Sequence, residues 1–128
     1  MNYYTYVYKN KEGEEKELKL RLTSSNAIEI ENAKKMSVTS YLQQESVEMV
    51  VTLLRYLLRW EDKNYSFSQA QTLYDELVDS GLTMKKILTD IIYETLVVSG
   101  FLEKEDWEEM KKIDKKMKEQ AKNILSQE

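Results

Sequence analysis

The chain has 128 residues, 41% of them hydrophobic and 33% charged, with a formal net charge of −4. That length supports one core and leaves little for a second, and the composition is too apolar for a disordered chain. His and Cys are both absent, which removes the commonest general base, the usual zinc ligands, the thiolate nucleophile and any disulfide framework. The three glycines, Gly13, Gly81 and Gly100, lie too far apart to build a phosphate-binding loop. The acidic balance argues against a nucleic-acid scaffold. No apolar stretch approaches the roughly 18–20 residues that cross a bilayer, and MNYYTYVYKN has no basic region ahead of an apolar run, so neither a membrane partner nor a signal peptide is expected.

In chain order, residues 2–8 alternate as a strand does, with Tyr4, Tyr6 and Tyr8 on one face and Tyr3, Thr5 and Val7 on the other. After Asn10-Lys11-Glu12-Gly13, a second alternation sets Leu18, Leu20 and Leu22 against Lys19 and Arg21. Together they predict a β-hairpin over residues 2–22. The tyrosine stripe admits two readings, a cover for a small core or an exposed binding surface. Tyr joins a large apolar body to a hydrogen-bonding tip. A two-stranded hairpin is marginal alone, so it must dock on helices, pair with another chain through its open edges, or both.

From Thr23 the pattern becomes helical. Asn26 followed by Glu29 reads as a capping box for a helix through Ile28, Ile30 and Ala33. Residues 36–44 show no clear period and read as a loop. Residues 45–60 form a strong helix that is apolar on two faces, one with Val47, Val50, Val51, Leu54, Leu57 and Leu58, the other with Met49, Leu53, Tyr56 and Trp60. Such a helix sits centrally or lends a face to a partner. Residues 61–66 are a polar connection. Ser68 is placed to cap a helix ending at Ser80-Gly81, and Thr83 the next, which ends at Ser99-Gly100. A last helix over about 104–124 has a thin, Met-rich stripe of Trp107, Met110, Ile113, Met117, Ala121 and Ile124, which suits an adaptable contact surface. The reading is a single α+β domain over residues 1–128, mainly α, in which the hairpin packs on a bundle of about five helices at residues 26–126.

No catalytic, metal or cofactor constellation emerges. The acidic run Glu103, Glu105, Asp106, Glu108 and Glu109 points around its helix and does not converge on an ion. With the lysines that follow, it complements the helix macrodipole instead. The Gly81-Leu82-Thr83 junction precedes a helix too apolar to read DNA. A hydrolase built from carboxylates such as Glu61 and Asp62 is the remaining enzymatic option, and a non-enzymatic binding protein is the expectation.

Segment 73–102, LYDELVDSGLTMKKILTDIIYETLVVSGFL, has a distinctive order: an acidic helix with Tyr74-Asp75-Glu76, a Gly turn, a Thr-capped apolar helix, then Ser99-Gly100-Phe101-Leu102. It resembles the central part of the tail assembly chaperones of long-tailed phages and prophages of Gram-positive bacteria. The long apolar helix before it also sits where that family has one. The resemblance implies a non-catalytic, cofactor-free protein in the host cytoplasm. Such a protein coats the tape measure protein, helps tail tube subunits assemble, and is absent from the finished virion. In many of these phages a frameshift adds a tube-recruiting domain. The resemblance carries over no contact residue. The candidate partner-binding residues read from the chain itself are Tyr4, Tyr6, Tyr8, Trp60, Trp107, Met110 and Met117, with self-association through the hairpin edge. A small prophage-encoded regulator or inhibitor of a host protein is the alternative.

Overall fold

The computed structural model describes residues 2–109, 112, 116, 119 and 120. Strands β1 (Tyr4–Lys9) and β2 (Glu15–Leu20) pair antiparallel, with Tyr4 opposite Leu20, Tyr6 opposite Leu18 and Tyr8 opposite Lys16. The turn between them is held at both ends by Asn10, whose side-chain Oδ1 accepts from the Glu14 N–H at 2.8 Å and whose carbonyl accepts from Gly13 N–H. Gly13 has φ +83°, a conformation in which a Cβ is strained.

Helix α1 (Ser24–Lys34) begins where the pattern changes, three residues before an Asn26 cap would start it. Thr23 is its cap, accepting from the Asn26 N–H at 3.2 Å. The Asn26 side chain is buried and donates from Nδ2 to the Tyr56 carbonyl at 3.3 Å. Asn26 therefore ties α1 to its neighbour and does not cap it, and Ile28, expected on the packed stripe, points to solvent. Residues 36–44, expected as a loop, contain the short helix α2 (Val38–Leu42). Ser37 caps it, and Val38, Tyr41 and Leu42 are all in the core. At five residues it is too short to display a period, and its packing holds it in place.

Helix α3 (Val47–Leu58), capped by Ser46, has eight buried residues among its twelve, on both apolar faces read from the sequence. Helix α4 (Phe67–Asp79) is capped by Ser66, not by Ser68. Ser66 Oγ accepts from Gln69 N–H at 3.1 Å, and the Gln69 side chain accepts in return from Ser66 N–H at 2.8 Å. Two serines lie two residues apart, each with a Gln three positions on, Gln69 and Gln71; the reciprocal pair forms at the first.

Thr83 caps the next rod as expected. The rod is not uniformly α-helical. Helix α5 (Met84–Ile87) passes into a π-helical turn (Leu88–Tyr93) and then into α6 (Glu94–Val98). Its buried residues explain the change. Ile87, Ile91 and Thr95 form one row and Leu88, Ile92 and Leu96 a second, both with a period of four. Four residues overshoot a 3.6-residue turn by about 40°, so two such steps would swing an α-helical row away from the core. A wider π turn brings it back. Residues 104–109 begin the last helix; most of its expected length lies outside the described residues.

One core unites these elements. The inner face of the hairpin contributes Tyr8, Leu20 and, just past the strand, Leu22. Each fully buried Leu contributes roughly 1.5–3 kcal/mol. A polar contact fastens the same end, where Leu22 N–H donates to Ser99 Oγ at 2.9 Å.

The two serines give a sharp check on the local account. Ser66→Ala should lower stability by about 1 kcal/mol, whereas Ser68→Ala should change it by only a few tenths. Chemical denaturation of the two variants measures both values.

Candidate interaction surface

The two faces of the hairpin serve different purposes. Tyr4, Tyr6 and Tyr8 face the helices together with Leu18 and Leu20. The Tyr4 hydroxyl donates to the Asp90 carbonyl, inside the π turn, at 3.1 Å. Tyr6 and Tyr8 stack with ring centroids 6.2 Å apart. Tyr8 is only 8% exposed, and burial, together with its hydrogen-bond partner Glu76, raises its phenol to about 12. Burial raises Tyr4 and Tyr6 as well, with Glu94 and Asp90 adding to Tyr4 and Asp90 to Tyr6. Of the two readings of the tyrosine stripe, the structure supports the core cover. Within one chain these rings are packing and anchoring groups.

The outer face is the exposed one. Tyr3 and Val7 stand 41% and 49% exposed, and Thr5 lies between them. Trp60, at the end of α3, stacks on Tyr3 with centroids 5.4 Å apart and planes at 25°. Its indole N–H donates to the Lys19 carbonyl at 3.0 Å, and the Lys19 ammonium lies 5.8 Å from the centre of the Tyr3 ring. Trp60 thus belongs to a half-exposed aromatic patch that also clamps the hairpin to α3. Tyr3 was absent from the sequence-derived candidates. Its alternation opposite to Tyr4 was the available signal, and only the packing shows which side faces water.

Trp107 lies inward. It is buried, meets Tyr93 edge-on with centroids 4.8 Å apart, and donates its indole N–H to Glu94 at 2.8 Å. It anchors the first turns of the last helix onto the rod, so in this chain it is a packing residue rather than a free contact. Met110 and Met117 lie outside the described residues. The sequence-derived candidates accordingly do not form one site: Tyr4, Tyr6 and Tyr8 lie under the hairpin, Trp60 beside it, and Trp107 against the rod.

Two polar features remain. Shallow grooves run along α4, one beside Tyr65, Gln69 and Leu73, the other beside Lys11, Asp75 and Asp79, and they share Thr72 and Glu76. Elsewhere Glu48 receives Tyr41 Oη at 2.6 Å, Thr52 Oγ1 at 3.0 Å and Lys34 Nζ at 2.5 Å, joining α1, α2 and α3. Partial burial pushes the Glu48 carboxyl up. The hydrogen bonds from Lys34, Tyr41 and Thr52 outweigh it and hold the group below the usual carboxylate range. Among the described residues, no three acidic side chains gather as a metal site.

The site and fold together define an α+β protein with a helix-docked hairpin. No protein-family model matches the chain, and no curated protein or solved structure is significantly similar to it.

Glu48 gives a pH dependence with a definite sign. Its pKa is lower folded than unfolded, so its stabilisation is present above the unfolded value and is lost as pH falls through the folded one. Glu48 is exposed enough for solvent to screen the effect. The wild-type chain should lose stability over that acid window, and Glu48→Gln should flatten that part of the profile while lowering stability at neutral pH. Denaturant midpoints measured from pH 7 down to about pH 3 check both.

Proposed function

We propose that this chain is a tail assembly chaperone of a long-tailed phage, one that binds the tape measure protein, assists tail tube assembly and performs no chemistry of its own. The observation that carries the reading is the order of elements in segment 73–102. That segment forms the second half of α4, a turn at Gly81 with φ +115°, the Thr83-capped rod and a Ser99-Gly100 ending with φ +85° at the glycine. These are the features on which the resemblance to that family rests. The segment is also structurally central, since Ser99 holds the end of the hairpin and Asp90 receives Tyr4.

Binding such a client calls for apolar contacts outside the core. Val47, Phe67, Val78 and Phe101 are exposed on or beside the helices, where the apolar faces of an amphipathic client helix have something to meet. The protein would act in the host cytoplasm during assembly and leave the finished tail.

Co-expression with a tape measure fragment that is insoluble alone tests the proposal. The expected result is a soluble fragment that copurifies with this chain. A fragment left wholly in the pellet while this chain stays soluble contradicts it.

A further inference from the structure

The two outer edges of the hairpin are treated in opposite ways. The edge of β2 is tied down at its C-terminal end: Arg21 N–H donates to the Leu57 carbonyl at 3.0 Å, and the Trp60 indole donates to the Lys19 carbonyl. These bonds also fix the phase of the ladder. Arg21 and Lys19 turn their backbone groups away from β1, and in an antiparallel pair this property alternates along both strands in step. Thr5 lies opposite Lys19 and Val7 opposite Glu17. Thr5 and Val7 therefore turn their own N–H and C=O groups outward along β1. Among the described residues no further strand pairs there.

Charge is distributed the wrong way round for a protected edge. Free edges are ordinarily blunted by charged side chains, Pro or bulges. Here the strand that is tied to α3, β2, has four charged residues among its six. Asn2–Tyr8, leading into and along the open strand, has neither charge nor Pro. It consists of aromatic and β-branched residues after Asn2, the types that pair best in sheets.

We infer that the open edge of β1 is an interface for a second copy of this chain, giving a four-stranded antiparallel sheet in the order β2-β1-β1-β2. Self-complementarity selects this occupant. In a two-fold pairing centred on Tyr6, Thr5 lies opposite Val7 of the second copy and Tyr4 opposite its Tyr8, so aromatic and β-branched side chains meet without opposed like charges. Tyr3 lies opposite Lys9, the only charged residue of β1, and is given the ammonium-over-ring contact it already makes with Lys19. The pairing also matches Thr5 and Val7, the residues whose backbone groups face outward. This inference does not depend on the chaperone reading, since it concerns the chain alone.

Analytical ultracentrifugation of the full chain over a wide concentration range tests it, with three variants. Wild type should pass from monomer to dimer as concentration rises. Val7→Lys places a charge opposite Thr5 of the second copy and sets the two new lysines diagonally across the two-fold, and Thr5→Pro removes an outward N–H that pairs with no strand among the described residues. Both should remain monomeric at concentrations where wild type is dimeric, with circular dichroism unchanged. Val47→Lys, on an exposed helix position away from the hairpin, should dimerise as wild type does. A wild-type chain that is monomeric throughout overturns the inference. So does a dimer that survives both hairpin substitutions, or one that Val47→Lys abolishes.

Discussion

A helix with no free face is the constraint from which the rest of this structure follows. Helix α3 is apolar on two sides, and eight of its twelve residues are buried. Neither side can be left in water, so elements must close over both. It packs against α1, α4, α5, the π turn and β2. Its C-terminal end fixes the hairpin as well, through the Leu57 carbonyl and the Trp60 indole. A two-stranded ribbon that would be marginal in isolation becomes part of the core because its Leu20 and Leu22 have somewhere to go.

Docking the hairpin by one edge and one face leaves the other edge and face to solvent. The resulting asymmetry gives the molecule its most distinctive surface. The inner tyrosines are anchors, with hydroxyls directed to Asp90 and Glu76. The outer Tyr3, Thr5 and Val7 stand beside backbone that no further strand pairs among the described residues, next to the Trp60 ring. Under the proposed function, association surfaces on separate elements have separate uses. The open strand suits a copy of itself, and the exposed apolar side chains of the helices suit a client.

Much of the fold was legible because it rests on periods. The alternation in residues 2–8 and 18–22 located the hairpin, and the double stripe of residues 45–60 marked the central helix. Thr83 and the two Ser-Gly endings marked the limits of the last buried rod. What was missed depended on choices between close neighbours or on tertiary contact. Thr23 and Ser66 outcompeted Asn26 and Ser68 as caps only two or three residues away. Helix α2 is too short to show a period. The π turn did leave a trace, the four-residue spacing of Ile87, Ile91 and Thr95, which a 3.6-residue template passes over. The surface was less legible than the fold. Trp60 and Tyr3 are far apart in sequence, and nothing local says that they stack. Trp107, on a thin stripe, reads equally as a partner contact or as the anchor of its helix, and only Tyr93 and Glu94 beside it decide for the anchor.

The central claim is that α3 and the hairpin form one cooperative unit, and native-state amide hydrogen exchange tests it most directly. Arg21 N–H bonds to α3 and Leu22 N–H to Ser99, so these two amides report on whether the hairpin is docked. The account predicts that they exchange with the same free energy as the amides of Val50, Leu53 and Leu54 in α3, at the level of global unfolding. Arg21 and Leu22 amides that exchange through a much smaller opening, while α3 stays protected, would show that the hairpin is an appendage and contradict the account.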